Sequence, residues 1–393
     1  MHVNSKNGQS LVDTVGPVVS GYVDRVWSEG VAGWSPAPNV MVSVNGRLVE
    51  SVPCSDMRPD VQAAKASVDG RVGFHAQLSL DDGDIVRVTT PQGKPLHHSP
   101  WLYLPPESDG WLPASLTANH PEYSGVADFS ESLAWKRFQP LFGQLGDISA
   151  VKFDSGDGPM VAHPGMSPDD AGRIHRFYKR VLTPAGIASP ALRHQQGIGE
   201  RQMLIFDFFP GKPLDRHGPG WEAWLPAVMV ELERLQQFGE QHREGLKVRG
   251  GRKPPLVNHL FRQALGDALR WDRAHGERRF LLWLVTRLKR LPQVLSHGDL
   301  HRENVLVDTE RGNIALVDWD RWDYLPVGFD LARLMRGLAG DTVEQLTGGS
   351  HAQRLGVVGF TYLLQRHDRP AMVNSEEGEA LRRRCRELAG SLL

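Results

Sequence analysis

Only two cysteines, Cys54 and Cys385, occur in 393 residues. They are too few for a disulfide framework and cannot form a zinc site alone, so a reducing cytoplasm is the expected setting. Long hydrophobic runs are also missing. The apolar stretch from Phe280 to Val285 falls far short of the roughly 18 residues that span a bilayer. The opening MHVNSKNGQS has no apolar centre of the kind a signal peptide carries. Neither sign of charge is in excess: 45 Lys plus Arg oppose 46 Asp plus Glu, for a formal charge of -1. A strong overall attraction to nucleic acid or to an anionic membrane is therefore excluded. No repeat or low-complexity tract interrupts the stretch from Val18 to about Leu104 either. What remains is a chain with 40% hydrophobic residues, ample for the packed cores of two or three domains.

From Val18 to about Leu104 apolar and polar residues alternate in short runs broken by Gly, Pro, Asn and Asp. VMVSVNGRLVE (Val40 to Glu50) alternates valines up to Asn45-Gly46, the dipeptide that best accepts the positive φ angles of a tight hairpin turn. RVGFHAQLSL (Arg71 to Leu80) and IVRVTT (Ile85 to Thr90) continue the pattern. Residues 1–104 thus predict a small all-β antiparallel sandwich. The Pro-, Gly- and Ser-rich LPPESDGWLP (Leu104 to Pro113) marks a boundary, within a linker over 105–124.

Beyond it, Ser130 to Phe138 reads as a short helix, and Asp147 to Pro164 as two strands around a Gly-Asp-Gly turn. A helix is expected near Pro168 to Leu182, and RQMLIFDFFPGKPL (Arg201 to Leu214) begins as a buried strand. Helices then follow over Trp221 to His242, Leu256 to Trp271, Glu277 to Leu291, Gly328 to Leu338, Gln353 to Gln365 and Glu376 to Leu392. The fold class is α+β.

One segment carries chemistry: VLSHGDLHRENVLVDTERGNIALVDWDRWDYLPVGFDLARLM, residues 294 to 335. Val305 to Val307 and Ile314 to Val317 read as a hairpin, which puts Asp299 and Asn304 on the loop before it and Asp318 at its exit. Three oxygen-bearing side chains can then converge. Phosphoryl transfer needs such a set: a carboxylate to orient a hydroxyl, and a carboxylate plus an amide oxygen to hold Mg²⁺ over phosphates. Singly, each is an ordinary turn residue. The combination and its spacing carry the argument.

His297-Gly298-Asp299-Leu300-His301 with Asn304, then Asp318-Trp319-Asp320, then Phe329-Asp330-Leu331-Ala332 resemble the motifs of the aminoglycoside phosphotransferase and choline kinase group within the protein-kinase-like superfamily. The resemblance covers roughly residues 125 to 393. It implies a bilobal domain with an N-lobe over 125–210 and a helical C-lobe over 211–393, using ATP and Mg²⁺. By the same resemblance Asp299 is the catalytic base, Asn304 and Asp318 are metal ligands, Asp320 assists the metal, and Asp330 braces the loop. His297 is expected to pack and to hydrogen-bond backbone, and His301 is likewise read as structural.

Two family features are missing. No lysine occurs from residue 153 to residue 178, so His163 on PMVAHPG stands near the place of the phosphate-anchoring lysine. No glutamate occurs between Glu131 and Glu200 to pair with it. Three readings stay open: Lys152 on the preceding strand supplies the cation, His163 does so weakly, or the lobe holds triphosphate poorly. FGQLGD (Phe142 to Asp147) is a candidate glycine loop over the phosphates. Asp207 to Phe209 occupies the place where the family's hinge offers backbone groups to adenine. Lys247, Arg249, Arg252 and Lys253 form a basic loop that could meet an anionic acceptor, although a solvated loop is the commoner reading.

The front segment, with Gly21 to Trp34, Met57 to Val61 and Gly73 to Leu78, resembles a β-sandwich module attached to bacterial glycosyltransferases. That resemblance points to a saccharide or glycoconjugate as acceptor, with Trp27 and Trp34 as stacking candidates and core packing as their ordinary alternative. The expected protein is an ATP- and Mg²⁺-dependent small-molecule kinase of the cytoplasm, with nucleotide and a hydroxyl-bearing acceptor as partners. The alternative is a catalytically weakened kinase-like binding or scaffold protein in surface polysaccharide biosynthesis. A protein kinase proper is disfavoured by HGD in place of HRD.

Overall fold

A computed structural model describes residues 21–63, 70–104, 108–119, 123, 135–142, 148–154, 156, 158–198, 200–214, 220–246, 256–270, 275–338, 343, 349–368 and 375–390. The chain forms two compact units: Met1–Pro168 with Arg193–Phe208, and Asp169–Leu192 with Phe209–Leu393. The architecture is α+β, and every strand pair whose register is described is antiparallel.

The first unit begins with eight strands: β1 (Tyr22–Trp27), β2 (Gly30–Trp34), β3 (Asn39–Val44), β4 (Arg47–Pro53), β5 (Asp56–Met57), β6 (Arg71–Gln77), β7 (Ile85–Thr89) and β8 (Trp101–Leu102). They make two sheets, ordered β1-β2-β6-β5 and β4-β3-β7-β8. Side chains alternate across a strand, so Val40 and Val42 on one sheet meet Val23, Val31 and Phe74 of the other in a shared core. The hairpin expected at Asn45-Gly46 forms, with φ of 51° and 78° at the two residues. The Asn45 side chain then fastens the turn to the next hairpin. Its Nδ2 donates to Asp84 at 2.7 Å and its Oδ1 accepts from the Ile85 N–H at 2.9 Å.

Six further strands follow: β9 (Leu112–Pro113), β10 (Arg137–Phe142), β11 (Ile148–Asp154), β12 (Pro159–Met166), β13 (Leu192–Ile198) and β14 (Arg201–Asp207), in the order β13-β14-β12-β11-β10-β9. Val151, Phe153, Ala162, Met203 and Ile205 share a core with Leu112, Tyr123, Trp135 and Ile85, so strand β7 of the sandwich is built into the same core. The buried Tyr123 hydroxyl donates to the Gly83 carbonyl at 2.9 Å. The helix expected over Ser130 to Phe138 is not what the described residues show, because Arg137 and Phe138 open strand β10. Phe138 is fully buried in the sheet's core, and that burial outweighs the local helical pattern. The candidate glycine loop lies, after Phe142, outside the described residues, as does the basic loop from Lys247 to Pro255.

Helix α1 (Pro168–Phe177) leads into the second unit, with Asp169 and Asp170 in its first turn and His175 and Arg176 in its last, matching the helix dipole at both ends. Its Ala171, Ile174 and Phe177 are buried at helical spacing. Then come β15 (Lys212–Pro213), α2 (Leu225–Gln241), α3 (Leu256–Arg270), α4 (His275–Lys289), β16 (Gln293–Ser296), β17 (Val305–Asp308), β18 (Asn313–Leu316), β19 (Asp323–Pro326), α5 (Phe329–Leu334), α6 (His351–Asp368) and α7 (Glu376–Gly390). The strands pair as β15-β17-β18 and β16-β19. Helix α6 is buried from Leu355 to Arg366 and forms the centre of this unit. At its end the buried Arg366 meets Glu277 at 3.1 Å and Asp267 at 2.6 Å, which neutralises a guanidinium that could not otherwise be held inside. Cys54 and Cys385 are both buried free thiols, and burial pushes them up to about 11 and about 12. Among the described residues no helix is long and apolar enough to cross a membrane.

Candidate active site

The site grows out of one strand pair in the second unit. In the β16-β19 ladder Ser296 faces Asp323, so the chain leaves β16 at His297 and rejoins the pair after the residues of interest. Burial of Leu295, Leu300, Val305, Val307 and Leu316 fixes the strands that flank the loop. Backbone and side-chain bonds then set the loop's shape.

Asp330, on the first turn of α5, is 4% exposed. Its two carboxylate oxygens accept the main-chain N–H groups of His297 at 2.7 Å and Gly298 at 3.0 Å. Burial pushes this carboxyl up, while the charge of His297 and the two amides pull the other way. Gly298 has φ of +83°, and a Cβ there would lie 2.0 Å from the Arg321 carbonyl oxygen. Only glycine allows that approach. The His297 ring is fully buried, 4.4 Å from the Trp319 ring, with Nε2 2.9 Å from the Val317 carbonyl. A carbonyl only accepts, so Nε2 carries the proton. Nδ1 is buried without a partner among the described residues, and burial holds the imidazole below its ordinary range. His297 and Asp330 therefore have the geometry of loop supports.

The same loop sets the backbones of Asp299, Asn304 and Asp318 near one another. Asn304 ends a short 3₁₀ turn, and its Nδ2 donates to the Asp299 carbonyl at 3.0 Å. An amide committed this way turns its oxygen to the other side. The Val317 N–H donates to the Asn304 carbonyl at 3.0 Å, continuing the β17-β18 ladder in which Val305 faces Leu316. Asp318 comes next, in the left-handed conformation with φ of 62° and ψ of 61°. Asp is among the few side chains that tolerate it. His301 senses the whole group. Burial and the Arg333 guanidinium hold its imidazole below the usual range, against Asp299, Glu303 and Asp318. Asp320 lies in the turn Trp319–Arg321, and both it and Asp318 add to the burial that raises the Tyr178 phenol.

Sequence reasoning missed two arginines. Arg321 Nε lies 3.2 Å from one oxygen of Asp299, and Arg333 holds the other through Nη2 at 3.1 Å and Nε at 3.2 Å. A signal existed for the second: Arg333 is three residues after Asp330 on a helix, so both project from the same face. Two guanidiniums fix the carboxylate's direction.

Magnesium is hard and takes one or two protein oxygens beside substrate phosphates. Asn304 and Asp318, with Asp320 in the adjoining turn, are oxygen donors of that kind. Among the described residues no group of three or more His, Cys, Asp or Glu could hold a metal ion. The remaining candidates lie elsewhere. Lys152, His163 and Asp207 belong to the six-stranded sheet of the first unit, where Asp207 is gripped by Arg193 at 2.6 and 2.7 Å. Phe209, in the second unit, lines a depression of about 450 Å³ with Ala188, Glu231 and Ile314, which contains none of Asp299, Asn304 and Asp318.

Among solved structures the chain is similar to a spectinomycin phosphotransferase in complex with ADP and spectinomycin (15% identity, 66% of this chain and 93% of that one, TM-score 0.41). It is similar also to a macrolide 2'-phosphotransferase from Brachybacterium faecium (14% identity, 65% and 95%, TM-score 0.42). A choline kinase from Streptococcus pneumoniae matches at 11% identity over 70% of this chain and 100% of that one, TM-score 0.40. A comparison with curated proteins finds no match. The model of the phosphotransferase enzyme family matches residues 159–366, more than half of the chain and all of the loop described above. The chain belongs to the phosphotransferase enzyme family.

Proposed function

We propose that this protein transfers the γ-phosphoryl group of ATP to a hydroxyl of a small molecule, a sugar or glycoconjugate, in the cytoplasm and with Mg²⁺. The observation that carries the reading is the loop itself. Asp330 pins the backbone at His297 and Gly298, Asn304 is bonded to the Asp299 carbonyl, and the Asn304 carbonyl takes the N–H next to Asp318. Asp299 orients the acceptor hydroxyl toward phosphorus. As the new O–P bond forms, the bond from the γ-phosphorus to its bridging oxygen breaks, ADP leaves, and the hydroxyl proton passes to Asp299. Flanked by Arg321 and Arg333, that carboxylate is held in one direction. The loose transition state of phosphoryl transfer suits this, because the proton moves late and positioning supplies most of the rate. Asn304 and Asp318 would hold Mg²⁺, which when bound would neutralise phosphate charge. The adenine-side candidates remain the main chain of Asp207 and Phe209, and the sugar class of the acceptor rests on the front module's resemblance.

A second reading is favoured by one observation: strand β12 carries His163 and no lysine. A kinase fold so altered can serve as a binding or scaffold module. Both readings are tested by ATP turnover across a panel of neutral, acidic and amino sugars, with and without Mg²⁺. Turnover that requires both Mg²⁺ and one class of sugar is the expected result. Nucleotide binding without turnover on any acceptor supports the scaffold.

A further inference from the structure

The six-stranded sheet of the first unit matches its acids to arginines. Arg137 meets Asp109 at 2.7 Å and Asp154 at 3.6 Å, and Arg193 meets Asp207 at 2.6 Å. Lys152 is different. It stands on β11 between Gln139 and Val161 in the ladder, on the face opposite the buried Val151 and Phe153. Among the described residues no carboxylate or carbonyl oxygen receives its ammonium. Two aromatic rings do: Nζ lies 4.0 Å from the centroid of the Phe208 ring and 4.8 Å from that of Trp111. Rings attract a cation through their faces but accept no conventional hydrogen bond from its three N–H groups. Burial holds the ammonium below its ordinary range, so an anion brought to it would restore what desolvation removes.

Trp111 is delivered on purpose-built backbone. Its N–H donates to Asp109 at 3.0 Å, the preceding Gly110 carbonyl accepts from Gln139 Nε2 at 2.5 Å, and β9 directly after it pairs with β10. The segment that reads in sequence as a linker is thereby stitched to the sheet beside Lys152. His163, by contrast, faces Leu204 in the ladder and packs its ring edge-on to Phe206 at 5.5 Å. An imidazole also gives fewer donors than an ammonium.

We infer that Lys152 is the cation that holds the nucleotide's phosphate groups in this protein, in place of a lysine on β12, with Trp111 and Phe208 as positioning residues for its ammonium. The inference rests on the nucleotide-dependent reading above and deepens it.

The test measures binding of ATP and of adenosine to the full chain by calorimetry, for the wild type and for Lys152→Met, Lys152→Arg, Trp111→Leu, Trp111→Phe and His163→Ala. Lys152→Met is expected to weaken ATP about 10- to 100-fold, as for a lost charge-assisted bond, and to leave adenosine within about twofold. Lys152→Arg and Trp111→Phe should recover most of the ATP affinity that Lys152→Met and Trp111→Leu lose, and His163→Ala should lose little. ATP affinity unchanged in Lys152→Met overturns the inference. So does an equal loss of ATP and adenosine, which marks a structural role. A wild type that binds neither ligand removes the nucleotide reading itself and this inference with it.

Discussion

Asp299→Ala is expected to lower the maximal turnover by about 10²- to 10⁴-fold, the range for losing a positioned acid-base group. ATP affinity should stay within about twofold. The split follows from the geometry. Asp299 makes its side-chain contacts with Arg321 and Arg333, while the loop's backbone is fixed by Asp330 and by Asn304, which bonds the Asp299 carbonyl rather than its carboxylate. Truncation therefore leaves the loop in place and takes away the group that orients the hydroxyl. It also leaves two guanidiniums without their shared anion. Asp299→Asn is the useful companion, because its amide oxygen still accepts from an arginine while the negative charge is gone. Steady-state turnover and nucleotide titration, run on both variants, check the expectation.

Asp330→Ala should lower folding stability as well as turnover. Two buried N–H groups lose their acceptors at once, and each unmade bond costs about 1–3 kcal/mol. A total loss of about 2–5 kcal/mol is expected in denaturant unfolding, together with loss of turnover as the His297-Gly298 backbone relaxes. Asp330→Asn should fall between, since an amide offers one acceptor oxygen where the carboxylate offers two. An alanine variant that kept full stability would show that the loop holds its shape without this brace.

Much of the fold was legible wherever a local signal decided it. Asn45-Gly46 marked a hairpin because few other dipeptides take two positive φ angles in succession. The β17-β18 hairpin and helices α2, α3, α4, α6 and α7 followed from periodicity. Strands set by a partner rather than by their own pattern were illegible. Leu192–Ile198 reads LRHQQGI, without alternation, and is a strand because β14 lies beside it. β16 and β19 are short, and each exists only through the other. The site divides in the same way. Asp299, Asn304, Asp318 and Asp330 were visible as a spaced motif. Arg321 belongs to the same run but gains meaning only when Gly298 brings the loop against the Trp319–Arg321 turn. Trp111 was hidden further still, because its contact with Lys152 depends on the added strand β9.

Under the proposed function, Asn304 and Asp318 share one divalent ion beside Asp299. The most direct measurement is Mn²⁺ binding in the presence of ADP, read by electron paramagnetic resonance in the wild type and in Asp318→Asn. Asparagine is the substitution of choice because it also tolerates the left-handed backbone at this position, so charge is removed while conformation is kept. The expected result is one nucleotide-dependent Mn²⁺ per wild-type chain and a loss of at least about tenfold in affinity in the variant. Mn²⁺ held as tightly by Asp318→Asn as by the wild type would contradict the account.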